Sequence, residues 1–147
     1  MSESKIQFKI VTSEKTVYED EVDQATFETT DGQVTILPNH RSYITSLMPG
    51  ELMIKKNGEE IYLSISGGFI EFHGNTLIVL ADTAERAEEI DLYRAEEARK
   101  RAEELRGKVI SKDDEEYARV AAAIQKESVR IRVAKKHYTK RGMSIDG

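Results

Sequence analysis

The hydrophobic period of this chain changes once, near Asp82, and that change limits what it can fold into. Before it, apolar residues alternate with polar ones. Ile6, Phe8 and Ile10 show the two-residue repeat of a half-buried strand. Further β-like runs follow at 22–27, 34–37, 43–47, 52–55, 61–65, 69–72 and 77–81. Turn pairs separate them: Asp31-Gly32, Pro49-Gly50, Asn57-Gly58, Gly67-Gly68 and Gly74-Asn75. Asn57-Gly58 is the strongest hairpin signal, because both residues tolerate the positive φ of a type I′ turn. Gly67-Gly68 predicts a bulge or a close backbone approach. Many short strands with no helix between them predict an antiparallel β-sandwich over residues 1–86.

After Asp82 the period becomes helical. Leu92, Ala95, Ala98, Ala102, Leu105 and Val109 recur at three- and four-residue spacing. Asp91 is placed to cap this helix and Gly107 to end it. Asp113 with Glu116 resembles a capping box for a second helix. A second stripe runs through Tyr117, Val120, Ile124, Ile131, Ala134 and Tyr138, interrupted by Glu127. The expected architecture is α+β: the sandwich, then a C-terminal two-helix antiparallel hairpin over 87–147. Alanine dominates the hairpin seam. It lets helices approach closely but buries little area, at about 25 cal/mol per Å². The expectation is a marginally stable hairpin that can open, which suits a switch.

Charge divides at a different point, Arg119, inside the second helix. From Arg119 onward eight basic residues face two acidic ones, while the whole 147-residue chain carries −5. A basic end on an acidic body predicts an acidic partner for the second helix, although a solvated helix face explains the charge equally well. Nucleic acid is a poor fit, since the sandwich half lacks a basic stripe interleaved with aromatics. No cysteine is present, which fits a reducing cytoplasm. No run approaches the roughly 20 apolar residues of a membrane span, and the opening residues do not resemble a signal or transit peptide. His40, His73 and His137 sit in separate segments without metal-ligand spacing, and there is no nucleophile elbow or phosphate loop. The expectation is no catalytic residue, no metal and no required cofactor.

Three segments, Asp31–His40, Ser66–Phe72 and Leu80–Ala95, together resemble the epsilon subunit family of bacterial rotary (F-type) ATP synthases. Asp31-Gly32-Gln33-Val34-Thr35-Ile36-Leu37-Pro38-Asn39-His40 is similar to that family's D/E-G-x-x-x-I-L-P-x-H stretch. Ser66-Gly67-Gly68-Phe69-Ile70-Glu71-Phe72 is similar to its S-G-G-F-x-E-V strand. Leu80-Ala81-Asp82-Thr83-Ala84-Glu85-Arg86, leading to Ile90-Asp91-Leu92-Tyr93-Arg94-Ala95, carries the I/L-D-x-x-R-A pattern of ATP-binding members. The resemblance covers all but about the last ten residues. It implies a non-catalytic central-stalk subunit of a proton-translocating synthase, peripheral on the cytoplasmic face of the bacterial membrane. The sandwich would contact the gamma subunit and the c-ring through the loop that carries Gln33 and His40; Gln33 stands where many relatives have Glu. Without the resemblance, that loop is a plain hairpin whose Pro38 ends a strand. The helical arm would meet acidic segments of the alpha and beta catalytic subunits and inhibit hydrolysis. Its contact residues would be Arg119, Lys126, Arg130, Arg132, Lys135 and Lys136, through charge-assisted hydrogen bonds.

The same resemblance implies ATP as a regulatory ligand. Glu85, Ile90, Asp91, Arg94, Ala95 and Arg101 match the first part of the family's nucleotide site, and Lys126 and Arg130 match its second-helix cations. Lys126 replaces an arginine, keeping the charge and losing the fork that grips phosphate. The plainer reading makes Asp91 a helix cap, and Arg94 and Arg101 surface charges paired with Glu97 and Glu104. A free-standing ATP-sensing module is the alternative function for the whole chain.

Overall fold

The computed structural model describes residues 4–108 and 114–140. They form two compact units, Met1–Arg86 and Ala87–Gly147. The first carries ten strands: β1 (Ile6–Val11), β2 (Thr16–Val22), β3 (Gln24–Thr29), β4 (Gly32–Ile36), β5 (Tyr43–Leu47), β6 (Gly50–Lys56), β7 (Glu59–Ile65), β8 (Gly68–His73), β9 (Thr76–Ala81) and β10 (Ala84–Arg86). They hydrogen-bond in the order β10-β7-β6-β3-β5-β8-β9-β1-β2, with β4 paired to β3. The sheet folds over on itself at β3, which pairs β6 through residues 24–26 and touches β5 only at Thr29–Leu47. Every pairing is antiparallel apart from β1 with β9, where Phe8 lies beside Leu77 and Ile10 beside Val79.

Alternation turns one face of nearly every strand inward. Ile6, Phe8 and Ile10 meet Phe27, Leu52, Ile54, Leu63, Ile70, Phe72, Leu77 and Val79 in one core, each at most 1% exposed. Two turns show why their residues were needed. Asn57 and Gly58 adopt φ of 51° and 82°, joining β6 to β7 as a type I′ pair would. Gly68 has φ +139°, and a Cβ there would fall 2.0 Å from the Leu80 carbonyl oxygen, so the close approach expected of Gly67-Gly68 is real.

Two strands had no clear sequence signal. In β2 the run Thr-Val-Tyr-Glu-Asp-Glu-Val holds three acids, and only Tyr18 and Val22 are buried. β10 is three residues long and pairs only with β7. These two strands end the sheet path, and one side chain joins them. Arg86 of β10 donates from Nη2 to the Val17 carbonyl at 3.3 Å, and its guanidinium lies 5.2 Å from the centre of the Tyr18 ring. Burial raises the Tyr18 phenol above its ordinary 10.0, a push reinforced by Asp20 and opposed by Lys56 and Arg86.

The second unit begins with a 3₁₀ turn, Ala87–Glu89, followed by α1 (Leu92–Lys108) and α2 (Asp114–Lys140). The helices pack on each other. The seam is as alanine-rich as the stripes suggested: Ala95, Ala102 and Ala134 are buried. Two expectations shift. Leu105, placed in the seam by its spacing, is 54% exposed, and Tyr117 is 46% exposed, because the packed part of α2 lies further on, at Val129, Ile131, Val133 and Ala134. Val109 and Asp113 lie outside the described residues. No described helix is long and apolar enough to cross a membrane.

Candidate functional site

The sandwich presents the His40 loop between β4 and β5. β4 is held against β3 in a tight hairpin: Thr29 Oγ1 donates to the Gly32 carbonyl at 2.8 Å, and the Asp31 N–H donates to Thr29 Oγ1 at 3.1 Å. Gln33 lies opposite Glu28 and is exposed. Beyond Ile36 the chain leaves the sheet, as Pro38 requires of a ladder. Leu37 is 51% exposed, and the His40 N–H turns back to the Leu37 carbonyl at 3.1 Å. The His40 ring is half-buried, edge-on to Tyr43 and Phe72 with centroids 6.0 and 5.9 Å away. Its Nδ1 sits 2.7 Å from the Arg41 carbonyl, which can only accept, so that nitrogen carries a proton.

Asn39 and Asn75 gave no functional signal in the sequence beyond turn chemistry. Both adopt left-handed backbone, φ 69° and 59°, which asparagine tolerates better than other side-chain-bearing residues. The Asn39 N–H donates to Asn75 Oδ1 at 2.6 Å, and Asn75 Nδ2 donates back to Asn39 Oδ1 at 3.1 Å. Nearby, Ser42 Oγ and His73 Nδ1 are 2.9 Å apart. The β8–β9 turn thus grips the loop through side chains 36 positions apart in the chain.

In the helical unit, Asp91 caps α1. Its Oδ1 accepts the Arg94 N–H at 3.1 Å, and its carbonyl accepts the Ala95 N–H at 3.0 Å. Arg94 reaches back to Asp91, Nε to Oδ2 at 3.7 Å, instead of forward to Glu97, and its side chain is 85% exposed. Ile90 and Ala95 are buried. Arg101, seven residues on, shares its helix face and is exposed. Glu85 belongs to the first unit, on β10 in register with Ser64.

On α2, Arg119, Lys126, Arg132, Lys135 and Lys136 are exposed. Arg130 is different. Its Nη1 donates to Glu127 Oε2 at 2.6 Å, and the two side chains are only 18% and 13% exposed. Glu127, which interrupts the apolar stripe, therefore brings its own counter-charge one turn away. Among the described residues no cluster of His, Asp or Glu could hold a metal ion.

Comparison with known proteins bears on both units. The family profile for the ATP synthase delta/epsilon chain β-sandwich domain matches residues 5–87, and that for the long α-helix domain matches 88–135. An ATP synthase epsilon chain of Chloroflexus aggregans is 47% identical over 139 residues, covering 95% of this chain and 99% of its own. That of Herpetosiphon aurantiacus is 46% identical over 130 residues, covering 88% and 94%. Among solved structures, a chain of the Euglena gracilis mitochondrial ATP synthase (OSCP/F1/c-ring, rotational state 1) shares the fold. Its TM-score is 0.74 at 19% identity, covering 93% of this chain and 82% of its own. Matched along both units, the chain belongs to the ATP synthase delta/epsilon family as an epsilon chain, a non-catalytic subunit of that complex.

Proposed function

We propose that the chain works in the central stalk of a proton-translocating ATP synthase, peripheral on the cytoplasmic face of a bacterial membrane. The sandwich couples the gamma subunit to the c-ring, with Gln33 and the His40 loop at that contact. The helical unit inhibits ATP hydrolysis when α2 meets acidic segments of the alpha and beta subunits. The observation that carries this reading is the exposed basic set on α2: Arg119, Lys126, Arg132, Lys135 and Lys136. All five face solvent, and two of them, Arg119 and Lys126, lie in the stretch Glu115–Glu127, where no residue is buried, so they can be presented to a partner. Reconstitution with the ATPase tests it. Replacing Arg119, Lys126, Arg132 and Lys135 by Glu raises hydrolysis several-fold, and the inhibition of the unaltered chain weakens as salt is added. Equal hydrolysis with both chains would overturn the inhibitory contact.

ATP enters the same proposal as a ligand that holds α1 and α2 together. Arg94 and Arg101 on α1, with Lys126 and Arg130 on α2, supply cations for phosphate, and Asp91 and Ile90 flank the start of the helix. Arg130 must first leave Glu127, which competes with phosphate for the guanidinium. Calorimetric titration of the isolated chain therefore yields weak, saturable ATP binding that Arg94→Ala abolishes. Glu127→Gln tightens it about threefold to tenfold by removing the carboxylate that competes with phosphate. A flat titration to millimolar ATP would leave Asp91 and Arg94 as a cap and a surface charge.

A further inference from the structure

We infer that Asn75 is a positioning residue for the His40 loop, fixing from the β8–β9 turn the conformation in which that loop meets its partner. The inference rests on the proposed docking role of the loop. Its physical basis is the set of contacts around Asn75. The side chain accepts the Asn39 N–H at 2.6 Å and donates to Asn39 Oδ1 at 3.1 Å, while its own carbonyl accepts the Gln7 N–H at 2.8 Å. One end of the residue is thus anchored to β1 and the other to the loop. Asn39 immediately precedes His40, and its left-handed φ of 69° sets the direction in which the chain leaves Pro38.

Left to itself, a turn such as Leu37–Ser42 would sample many conformations, and docking would have to select one. The loop has little core of its own: Leu37, Asn39, Arg41 and Ser42 are exposed. What orders it is the amide pair at Asn39, the His40 ring against Phe72 and Tyr43, and the Ser42–His73 bond. All but the Tyr43 contact reach to the β8–β9 hairpin. Among them only the bond from the Asn39 N–H to Asn75 Oδ1 holds the backbone of the loop. The loop is therefore pre-organised by a residue that need not touch the partner.

Two substitutions isolate this role. Asn75→Gly keeps the left-handed turn and removes both amide bonds. Asn75→Asp keeps the acceptor for the Asn39 N–H and loses the donor, setting two oxygens against each other. The full-length chain is read in two ways: amide exchange at Asn39, His40 and Arg41, and affinity for a synthase complex stripped of this subunit, with His40→Ala as the reference. Asn75→Gly should speed loop exchange about tenfold and weaken assembly about fivefold to tenfold, and Asn75→Asp should do less of both. Unchanged loop exchange overturns the brace. Faster exchange with unchanged assembly, while His40→Ala still weakens it, overturns the positioning role and leaves the docking reading intact. If His40→Ala leaves assembly unchanged as well, the docking role of the loop fails and the positioning role with it.

Discussion

The two units reach stability by different routes. The sandwich closes around eighteen buried residues that include Phe8, Phe27 and Phe72 and come from strands far apart in sequence. In the helical unit, the described residues hold eight buried apolar side chains, four of them alanines. Buried area sets hydrophobic stabilisation at about 25 cal/mol per Å², so an alanine seam contributes far less than a phenylalanine core. Burial in α2 is also uneven. It gathers at 129–134, and from Glu115 to Lys126 nothing is fully buried. The contrast teaches where change should be cheap: loosening the hairpin is expected to cost less than opening the sandwich.

Phe27→Ala tests that contrast most severely. Phe27 is 1% exposed on β3, where the sheet folds over. Its truncation should lower unfolding stability in urea by about 3–5 kcal/mol. Amide exchange along Ala98–Arg106 and Tyr117–Lys126 should change little. If exchange there accelerates as much as in β8 and β9, the two units unfold as one block and the contrast is broken.

Arg86→Ala comes next, at about 1–2 kcal/mol. The guanidinium joins the two end strands of the sheet through the Val17 carbonyl and the Tyr18 ring. Its loss should speed amide exchange in β2 and β10 before any other strand. Arg86→Lys, which keeps charge but not the planar fork, should restore part of the effect. A midpoint shift without selective loosening of β2 and β10 would remove the edge-joining role.

A smaller effect sharpens the comparison from the helical side. Asp91→Ala should cost about 1 kcal/mol through the lost cap, and Asp91→Asn should recover most of it. The loss belongs to the start of α1. Exchange at Arg94 and Ala95 should accelerate while the urea midpoint of the sandwich holds.

The sequence was most legible where local chemistry and tertiary packing agree. Alternation in Ile6-Phe8-Ile10, the Asn57-Gly58 turn and the Gly68 approach all read directly from residue type, because each has one structural solution. The α1 cap at Asp91 was legible for the same reason. β2 was hidden because its acids face solvent and ion partners, leaving only Tyr18 and Val22 to mark the inside. β10 was hidden because three residues carry no period; β7 and the reach of Arg86 hold it. Leu105 misled because periodicity names a face and cannot say how far along that face a partner extends. The Asn39–Asn75 pair lay beyond reach altogether, since nothing local links two turns that far apart. Of the basic residues, spacing alone could not separate Arg130, engaged by Glu127, from its exposed neighbours.

The smallest expected effect concerns acid, and it belongs to the sandwich. Asp23 bonds Lys5 and accepts the Asn57 N–H at 2.8 Å, tying the β2–β3 corner to the β6–β7 turn. Asp20 bonds Lys56 across from β2 to β6. The Lys5 and Lys56 ammonium groups hold these carboxyls below their ordinary 3.8. A carboxyl depressed in the folded state keeps its charge where the unfolded one has taken a proton. The stabilisation is therefore complete above about pH 4 and fades as pH falls through 3.8 toward the lower folded value. Both side chains are about one-third exposed, so solvent screens the pairs and the loss should be much smaller than that of Asp91→Ala. Urea midpoints between pH 5 and pH 2.5 should decline less steeply in an Asp20→Asn, Asp23→Asn double variant than in the unaltered chain. An identical slope in both would mean that acid acts through other carboxyls, and that the corner pairs set register without contributing to the pH dependence of the fold.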